Sequence, residues 1–378
     1  MNRRRHFPHA SGFSLVEVLV ALVIGSLAMV VVLQVFWLSE GTKRTSTSGS
    51  DAQQGGSMGL YLLERDLRQA GYGMNAVPAL GCTVVGYDKG PPVRDPIPAF
   101  VFAPVVITQG ATNAPDTISI SYGSDANFSP VAVLTQANGG NNANYQVTSN
   151  FGFTINDLII VTEVGNPQCT LAQVNEIPPA GGNPLVIHNT GVNSPRYNKA
   201  SGMGVNHGIG SRIYNLGKLP VVNIYSVTTP SATVPDGRLN VQNTIIDANA
   251  TPIVDGVVNL QAEYGMDDGV NNATITQAVY AADDGIVDNW TTTTPATPAA
   301  WAQVLAVRLA VVARSGLREK PDKATGQCNI TASQPTWAGS TTSPIVLGND
   351  SDGVSWKCYR YRVYETTVPL RNMIWRPS

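Results

Sequence analysis

The chain has 378 residues, of which 43% are hydrophobic and only 13% are charged. This length and composition predict a globular protein of one or two domains and exclude a coiled coil or a disordered chain. The 24 basic and 26 acidic residues give a net charge of −2, so the chain lacks the basic surplus on which bulk nucleic-acid binding depends. Low charge together with abundant Asn, Thr, Ser and Gly favours an extracytoplasmic, β-rich protein.

A short basic leader precedes a long apolar segment. The leader carries arginines at positions 3–5 and ends at Gly12, and the segment from Phe13 to Leu38 contains one ionisable residue, Glu17. Such a segment predicts an export signal or a membrane anchor. Because positive charge stays in the cytoplasm, the arginines should remain inside while the chain after Leu38 is translocated.

The position of the small residue Gly12 is unusual, because ordinary secretory signals are cut after the apolar stretch and not before it. Glu17 costs about 2.5–3.5 kcal/mol in a membrane segment and therefore needs a partner. Cleavage after Gly12 would make Phe13 the new amino terminus, one helical turn from Glu17. The amine and the carboxylate could pair within one chain, or between neighbouring chains, where they would set an axial register for assembly.

These residues resemble the class III prepilin motif of type IV pilins and type II secretion pseudopilins, in the run Gly12-Phe13-Ser14-Leu15-Val16-Glu17. The resemblance implies that a dedicated membrane prepilin peptidase cuts after Gly12 and methylates the amine of Phe13. The alternative is a plain signal anchor in which Glu17 is incidental. It is disfavoured because the motif residues stand in register beside a basic leader.

A proline-free window between positions 8 and 78 permits one long helix that starts at Phe13. Its membrane half, Val18 to Leu38, is apolar all round. From Ser39 to Gly59 the sequence is rich in Ser, Thr and Gly, which favours a kinked or partly unwound stretch.

An amphipathic helical stripe follows, which we expect to pack on the ectodomain and to end at Gly71–Gly73. The apolar members of the stripe are Leu60, Leu63, Leu67 and Ala70.

After Pro78 the sequence is typical of an all-β protein, with short alternating or apolar runs between turn residues. Val304–Val312 is almost wholly apolar apart from Arg308 and predicts a central strand covered on both faces. Long loops are expected at Gln136–Asn150 and Pro178–Gly210. The other predicted strands are Asp116–Tyr122, Asp157–Val164, Val221–Val227 and Tyr359–Tyr364.

Four stretches resemble the PilW-type minor pilins, which are relatives of the J-type pseudopilin of type II secretion: Leu63–Tyr72, Val254–Gly265, Val307–Ser315 and Thr366–Asn372. The resemblance hardly covers residues 80–250. It implies an α+β, pilin-like fold in which a long amino-terminal helix, membrane-spanning in its first half, packs on a mainly antiparallel β-sheet head with long loops.

The implied organisation is a prepilin leader at 1–12, a transmembrane and assembly helix at 13–72, and a periplasmic β-rich head at 73–378. The implied function is that of a minor pilin in the tip and priming complex of a type IV pilus, with roles in adhesion and twitching motility. Its implied partners are other minor pilins, the major pilin, a tip adhesin, the prepilin peptidase and the inner membrane. The precursor would lie in that membrane and the assembled subunit outside the cell. A J-type minor pseudopilin is the alternative.

The chain has four cysteines, which are Cys82, Cys169, Cys328 and Cys358. In an exported chain they predict two disulfide bonds. Three pairings are possible. We favour Cys82 with Cys169 and Cys328 with Cys358 because each pair joins neighbours in sequence. A zinc site is the alternative, which the lack of a CxxC motif disfavours, and the only histidines after the leader are His188 and His207.

Two patterns match catalytic motifs without the required context. Gly55–Gly59 fits G-x-S-x-G but precedes a helix without the strand that a nucleophile elbow needs, so a flexible linker is expected. Gly71–Ala76 fits a dinucleotide turn but follows a helix. No enzymatic activity is therefore predicted.

Acidic loops offer oxygen ligands that could bind calcium weakly, although none has the spacing of an EF-hand and solvated Asp-Gly turns are the default interpretation. No other metal or cofactor is expected. The candidate ligands are Asp267, Asp268, Asp283, Asp284 and Asp288.

Overall fold

A computed structural model describes residues 12–74, 79–111, 114–124, 130–179, 182–267, 285–322, 324–350 and 353–374. The chain divides into two units, Met1–Ser50 and Asp51–Ser378. Helix α1, Leu15–Leu67, begins in the first unit and ends in the second. The shorter helices α2 and α3 lie in the second unit and span Pro298–Ala302 and Arg371–Ile374.

The described part of the second unit is mainly strand. Trp356–Cys358 forms a single turn of 3-10 helix. The strands are β1 Thr83–Val85, β2 Phe100–Val101, β3 Val105–Thr108, β4 Thr117–Tyr122, β5 Ala132–Val133, β6 Asn144–Gln146, β7 Leu158–Thr162, β8 Gln168–Gln173, β9 Leu185–Ile187, β10 Arg212–Gly217, β11 Val221–Thr228, β12 Arg238–Asn243, β13 Thr251–Asp255, β14 Val257–Met266, β15 Asn289–Thr291, β16 Val304–Arg314 and β17 Tyr361–Pro369.

Three sheets and one isolated strand pair organise these elements. Sheet I has the order β2-β1-β8-β7-β10-β5, sheet II has β13-β12-β11-β4-β3, and sheet III has β15-β14-β16-β17, while β6 pairs only with β9. Among the described strands, β1 with β8 is the one parallel pairing. The expected α+β architecture, with a long amino-terminal helix and a mainly antiparallel head, is therefore confirmed.

The predicted strands correspond to β4, β7, β11, β16 and β17. In β4, Ile118 and Ile120 are buried and alternate with less buried neighbours, as a sheet with one covered face requires. β16 lies between β14 and β17, and every residue of it except Arg308 is buried. The two regions expected to be loops each contain a short strand, β6 and β9, and these strands pair with each other.

Three hydrophobic cores fill the second unit. The main core joins Leu63 and Leu67 of α1 to residues from all three sheets. Another lies between sheet I and the β6–β9 pair, where Tyr145 and Val186 meet Ile159. A third covers the face of sheet III that carries Val258, Ala310 and Val312, and the covering residues are Trp337, Ile345 and Leu347.

Both disulfides join the pairs that the sequence favoured. Cys82 and Cys169 have Cα atoms 5.8 Å apart and connect the start of β1 to its parallel neighbour β8. Cys328 and Cys358 have Cα atoms 4.8 Å apart and close a 30-residue separation around the segment that covers sheet III. In the chain-entropy account, restriction of the unfolded chain by the Cys328–Cys358 bridge contributes about 3–4 kcal/mol, and the longer loop closed by Cys82–Cys169 raises this to about 4–5 kcal/mol.

The glycines of α1 allow the helix to approach sheet III closely, and this corrects two expectations. Residues 39–59 are helical and are not unwound, and Gly55–Gly59 is not a flexible linker. A Cβ at Gly55 would lie 2.7 Å from the carbonyl oxygen of Asp255, and one at Gly56 would overlap the ring of Tyr364. Tertiary contact therefore outweighs the poor helix propensity of these residues.

The carboxyl end of α1 also differs slightly from the expectation. The helix ends at Leu67, and the chain continues in turns through Gly73. The amides of Gln69 and Ala70 donate to carbonyls three residues earlier, which tightens the last turn. Gly71 has a φ of 79°, a conformation that favours glycine after a helix. Leu63, Leu67 and Ala70 are fully buried, as the amphipathic stripe predicts.

We expect Gly56→Ala to destabilise the protein by about 1–2 kcal/mol. Overpacking against Tyr364 costs about 1–3 kcal/mol, which exceeds the gain of about 1 kcal/mol from replacing a helical glycine. Gly59→Ala is the matched control, because its Cβ would lie 3.5 Å from Leu239 and Val311 in ordinary contact, and it should stabilise. Thermal unfolding of the full chain in detergent measures both. A stabilising Gly56→Ala would show that the close approach has no energetic consequence.

Two buried histidines lie beside the second core. His188 is 1% exposed, stacks on Tyr145 with ring centroids 4.3 Å apart, and makes no side-chain hydrogen bond to another described residue. Burial lowers its pKa to about 4, and His207 nearby adds to this shift. His207 shares a 2.7 Å hydrogen bond with Thr170, and burial also lowers its pKa, although Glu163 opposes the shift. Both imidazoles are therefore neutral at pH 7.

These depressed pKa values predict a loss of stability in acid. Between pH 6.5 and pH 4 the unfolded chain protonates His188 while the folded chain does not, so the free energy of unfolding falls as the pH falls. For this one residue the full loss is about 3 kcal/mol. His188→Phe keeps an aromatic ring against Tyr145 and removes the titration.

Urea unfolding of the full chain in detergent at pH 7 and pH 4 tests this effect. Asp116 acts in the opposite direction, because burial raises its pKa to about 6, but it is common to both proteins and cancels in their difference. The stability advantage of His188→Phe over wild type should grow towards pH 4. Parallel pH profiles would contradict the prediction.

Candidate functional site

The residues of the amino-terminal motif surround the start of α1. Gly12 and Phe13 precede the helix, and Phe13 is 87% exposed. The side chain of Ser14 accepts a hydrogen bond from the amide of Val16 at 3.3 Å, and Glu17 accepts one from the amide of Ser14 at 3.0 Å. This reciprocal arrangement is a capping box, which satisfies amides that the first helical turn leaves free.

The capping box fixes where the helix begins and leaves the Gly12–Phe13 bond outside it. A Cβ at Gly12 would meet no atom within 4 Å. The motif therefore combines an accessible peptide bond with a carboxylate, Glu17, one helical turn further along. A negative charge in the first turn also interacts favourably with the helix dipole.

An apolar span follows directly. Leu15–Trp37 comprises 23 residues with a mean hydropathy of 2.8, and none of its most apolar window is buried within the protein. At 1.5 Å per residue such a helix exceeds the ~30 Å thickness of a bilayer core. By length and composition, this segment can cross a membrane.

A buried carboxylate holds the other end of α1 to the head. Asp66 is fully buried and accepts hydrogen bonds from Tyr225 Oη at 2.6 Å and Asn223 Nδ2 at 2.7 Å, both on β11. Arg65 donates to its second oxygen at 3.0 Å. Because burial of an unpaired charge is costly, this network selects one orientation of the helix on sheet II.

The surrounding phenols are held in their neutral form. Burial, followed by the hydrogen bond to Asp66, raises the pKa of Tyr225 above its ordinary value. Burial and the charge of Asp66 raise the pKa of Tyr122 to about 12. The sequence alone did not single out Asp66. Its place three residues after Leu63, on the buried face, is the signal that could have identified it.

The carboxyl-terminal end of the described chain completes the contact with α1. Asn372 in α3 donates to the carbonyls of Gln69 and Ala70, both at 3.1 Å. The Gln69 carbonyl also accepts from the amide of Tyr72, so these bonds tie α3 to the turns that follow α1. Met373 is buried, and its sulfur would lie 3.1 Å from a Cβ placed at Gly71.

The candidate calcium ligands are only partly described. Asp268, Asp283 and Asp284 lie outside the described residues. Asp267 is buried and accepts a hydrogen bond from the amide of Gly285 at 2.9 Å, and the amide of Asp288 donates to Met266. Within the described ranges, no three His, Cys, Asp or Glu side chains come together as a metal site would require.

Of the two patterns that match catalytic motifs, Gly55–Gly59 lies inside α1, and the described residues of Gly71–Ala76, 71–74, follow the helix, in turns through Gly73. Ser57 is inside α1, is exposed, and donates to the carbonyl of Gln53 at 2.8 Å, so it does not stand on the strand-to-helix turn of a nucleophile elbow. Gly71 follows the helix, and its amide donates to Ser121. A dinucleotide turn has the opposite order of elements.

Comparison with protein families agrees with these features. Residues 8–33 match the Prokaryotic N-terminal methylation motif, and residues 224–372 match the family described as Type IV Pilus-assembly protein W. No curated protein and no solved structure matches the chain. The methylation match covers the capping box and most of the apolar span, and the second match runs from β11 to α3. The two matches together support a type IV pilus minor pilin of the PilW group.

Proposed function

We propose that a prepilin peptidase cleaves this chain between Gly12 and Phe13 and methylates Phe13, and that the mature subunit enters the tip and priming complex of a type IV pilus. The observation that carries this proposal is the accessible Gly12–Phe13 bond, which stands directly before a capped apolar helix containing one acid, Glu17. In this proposal residues 1–12 are a leader, residues 13–72 form the membrane and assembly helix, and residues 73–378 form a periplasmic head.

In this proposal the charge of Glu17 sets the axial register between neighbouring subunits. In the uncleaved chain this carboxylate accepts the amide of Ser14. Cleavage creates an amine at Phe13, and in the bilayer an ammonium and a carboxylate gain from pairing because neither is well solvated. A pair between the Phe13 amine of one subunit and Glu17 of its neighbour would fix their axial offset.

The same helix indicates which partners the chain would contact. The exposed apolar surface of Leu15–Trp37 holds the precursor in the inner membrane and then packs against the corresponding helices of other minor pilins and the major pilin. A tip adhesin is the further proposed partner, contacted by the head. In the assembled pilus the head lies outside the cell.

Glu17→Gln separates the two roles of this side chain, which are to accept the Ser14 amide and to carry a negative charge. Glutamine keeps a carbonyl oxygen that can accept the Ser14 amide, but it has no charge. We expect Glu17→Gln and Glu17→Ala to be cleaved as wild type. The amount of each variant in sheared pili should fall by about tenfold or more, because an assembly contact weakened by about 1.4 kcal/mol or more binds about tenfold or more weakly. Because a priming subunit acts before growth begins, the number of pili should fall as well.

Ser14→Ala is the matched control, because it removes the hydroxyl half of the capping box and leaves the charge of Glu17 in place. It should be incorporated close to the wild-type level. Cleavage is followed by the mass of the chain and incorporation by immunoblots of sheared pili. Normal incorporation of Glu17→Gln would contradict the charge pairing. Unchanged piliation with loss of a secreted protein would instead assign the chain to a J-type pseudopilus.

A further inference from the structure

A small polar pocket lies on the face of sheet III that the third core covers, away from α1. We name it the Arg314 pocket. It has a volume of about 220 Å³ and is lined by side chains from β14, β16 and β17 and from the loops at 229–230 and 346–350. Its polar lining residues include Thr229, Asn259, Asn349 and Asp350. Neither the helix nor the amino-terminal motif contributes to it.

A buried guanidinium forms part of its wall. The side chain of Arg314 is 2% exposed. Its Nη1 donates to Asp350 at 2.7 Å, its Nη2 donates to the carbonyl of Pro235, and the guanidinium lies 3.9 Å from the ring centroid of Tyr359. The Nε of Arg314 is buried and has no hydrogen-bond partner among the described residues. A buried donor without a partner is uncommon and calls for an explanation.

The charge of the wall favours a neutral ligand. Asp350 pairs with Arg314, Tyr359 donates to the second oxygen of Asp350 at 2.8 Å, and Asp236 lies 3.9 Å from the guanidinium. The single positive charge is therefore offset, so the pocket offers an anion little attraction. Asparagine and threonine side chains can each donate and accept hydrogen bonds, as the hydroxyl groups of a ligand require.

The pocket is amphipathic and small. Val258, Leu347 and Pro230 supply apolar wall opposite the polar groups. A pyranose ring presents the matching chemistry, with C–H groups on one face and hydroxyl groups around its edge. Pockets that enclose drug-sized ligands measure about 300–1,000 Å³, so a pocket of about 220 Å³ limits the occupant to one sugar ring.

We propose that the Arg314 pocket binds one neutral sugar ring, either free or at the non-reducing end of a glycan. The exposed side chains of Thr229 and Asn349 at the pocket edge can each donate and accept hydrogen bonds, which suits the hydroxyl groups of a sugar, while Arg314 and Asp350 pair with each other in the wall. The proposal is independent of the processing and assembly of the chain.

Gly348 offers a way to block the pocket without disturbing the fold. It lines the pocket, yet a Cβ placed on it would meet no atom within 4 Å, so the indole of Gly348→Trp has space to lie across the opening. Gly182→Trp is the matched control, because Gly182 is equally open and does not line the pocket. Equal unfolding temperatures of both variants and wild type establish that the fold is retained.

The test uses the full chain in a zwitterionic detergent that contains no sugar. Saturation-transfer NMR is recorded with glucose, galactose, mannose, fucose and their N-acetylhexosamine analogues, with glucuronic acid and phosphate as anionic probes. Methyl glycosides and disaccharides ending in the same sugars distinguish a free sugar from a glycan end. We expect binding of at least one neutral sugar, weakened about tenfold or more in Gly348→Trp and unchanged in Gly182→Trp.

Asn349→Ala provides a second test that adds no bulk. Asn349 is exposed at the pocket edge, and its Oδ1 accepts a long hydrogen bond of 3.4 Å from the amide of Trp356. Loss of its side-chain amide should weaken sugar binding while the protein remains folded at the temperature of the binding measurement. The proposal fails if no neutral sugar binds, if the anionic probes bind instead, or if binding survives Gly348→Trp.

Discussion

The close contact between the second half of α1 and the head is the constraint on which the rest of the second unit depends. Gly55 and Gly56 bring the helix backbone against β13 and β17, and Asp66 fixes the orientation of the helix through two hydrogen bonds to β11. Since Leu63 and Leu67 of α1 are fully buried, sheets II and III must both present apolar faces to the helix. The outer face of sheet III then needs its own cover, which the segment closed by Cys328 and Cys358 supplies.

The stretches that resemble PilW-type minor pilins supply part of this contact, including Asp66 of the helix and Asp255 beside Gly55. Val254–Gly265 and Val307–Ser315 cover β14 and most of β16, which pair along their length. Asn372, at the end of the fourth stretch, caps the carbonyls of Gln69 and Ala70, which lie in the first. By contrast, strands β5–β10 lie in sequence between β4 and β11, which are themselves neighbours in sheet II. Sheet II therefore does not need these strands for its own pairings, and they fall outside the family match.

Helices and strands are predicted well from the sequence where one hydrophobic period dominates a segment. The alternation in β4 identifies a strand covered on one face, and the continuous apolar run of β16 identifies a strand covered on both faces. The apolar stretch after Phe13 identifies the membrane segment. The α+β class followed from these elements and from the resemblance. The pairing of cysteines by neighbourhood in sequence also agrees with the structure.

The sequence predicts poorly where contacts distant in the chain override local preference. Residues 39–59 contain poor helix formers, yet they are helical, and their glycines make a close approach that only the partner strands reveal. The pairing of β6 with β9 joins two regions expected to be loops, because strands of only three residues are too short to carry a periodic signal. The burial of Asp66 and the Arg314 pocket arise from side chains far apart in sequence.

Mass spectrometry of sheared pili tests most directly whether this chain is a processed and assembled minor pilin. The account predicts an amino-terminal peptide that begins at N-methylated Phe13 and carries Glu17, present at a small fraction of the abundance of the major pilin. Recovery of the chain only from membranes, with residues 1–12 still attached, would contradict it.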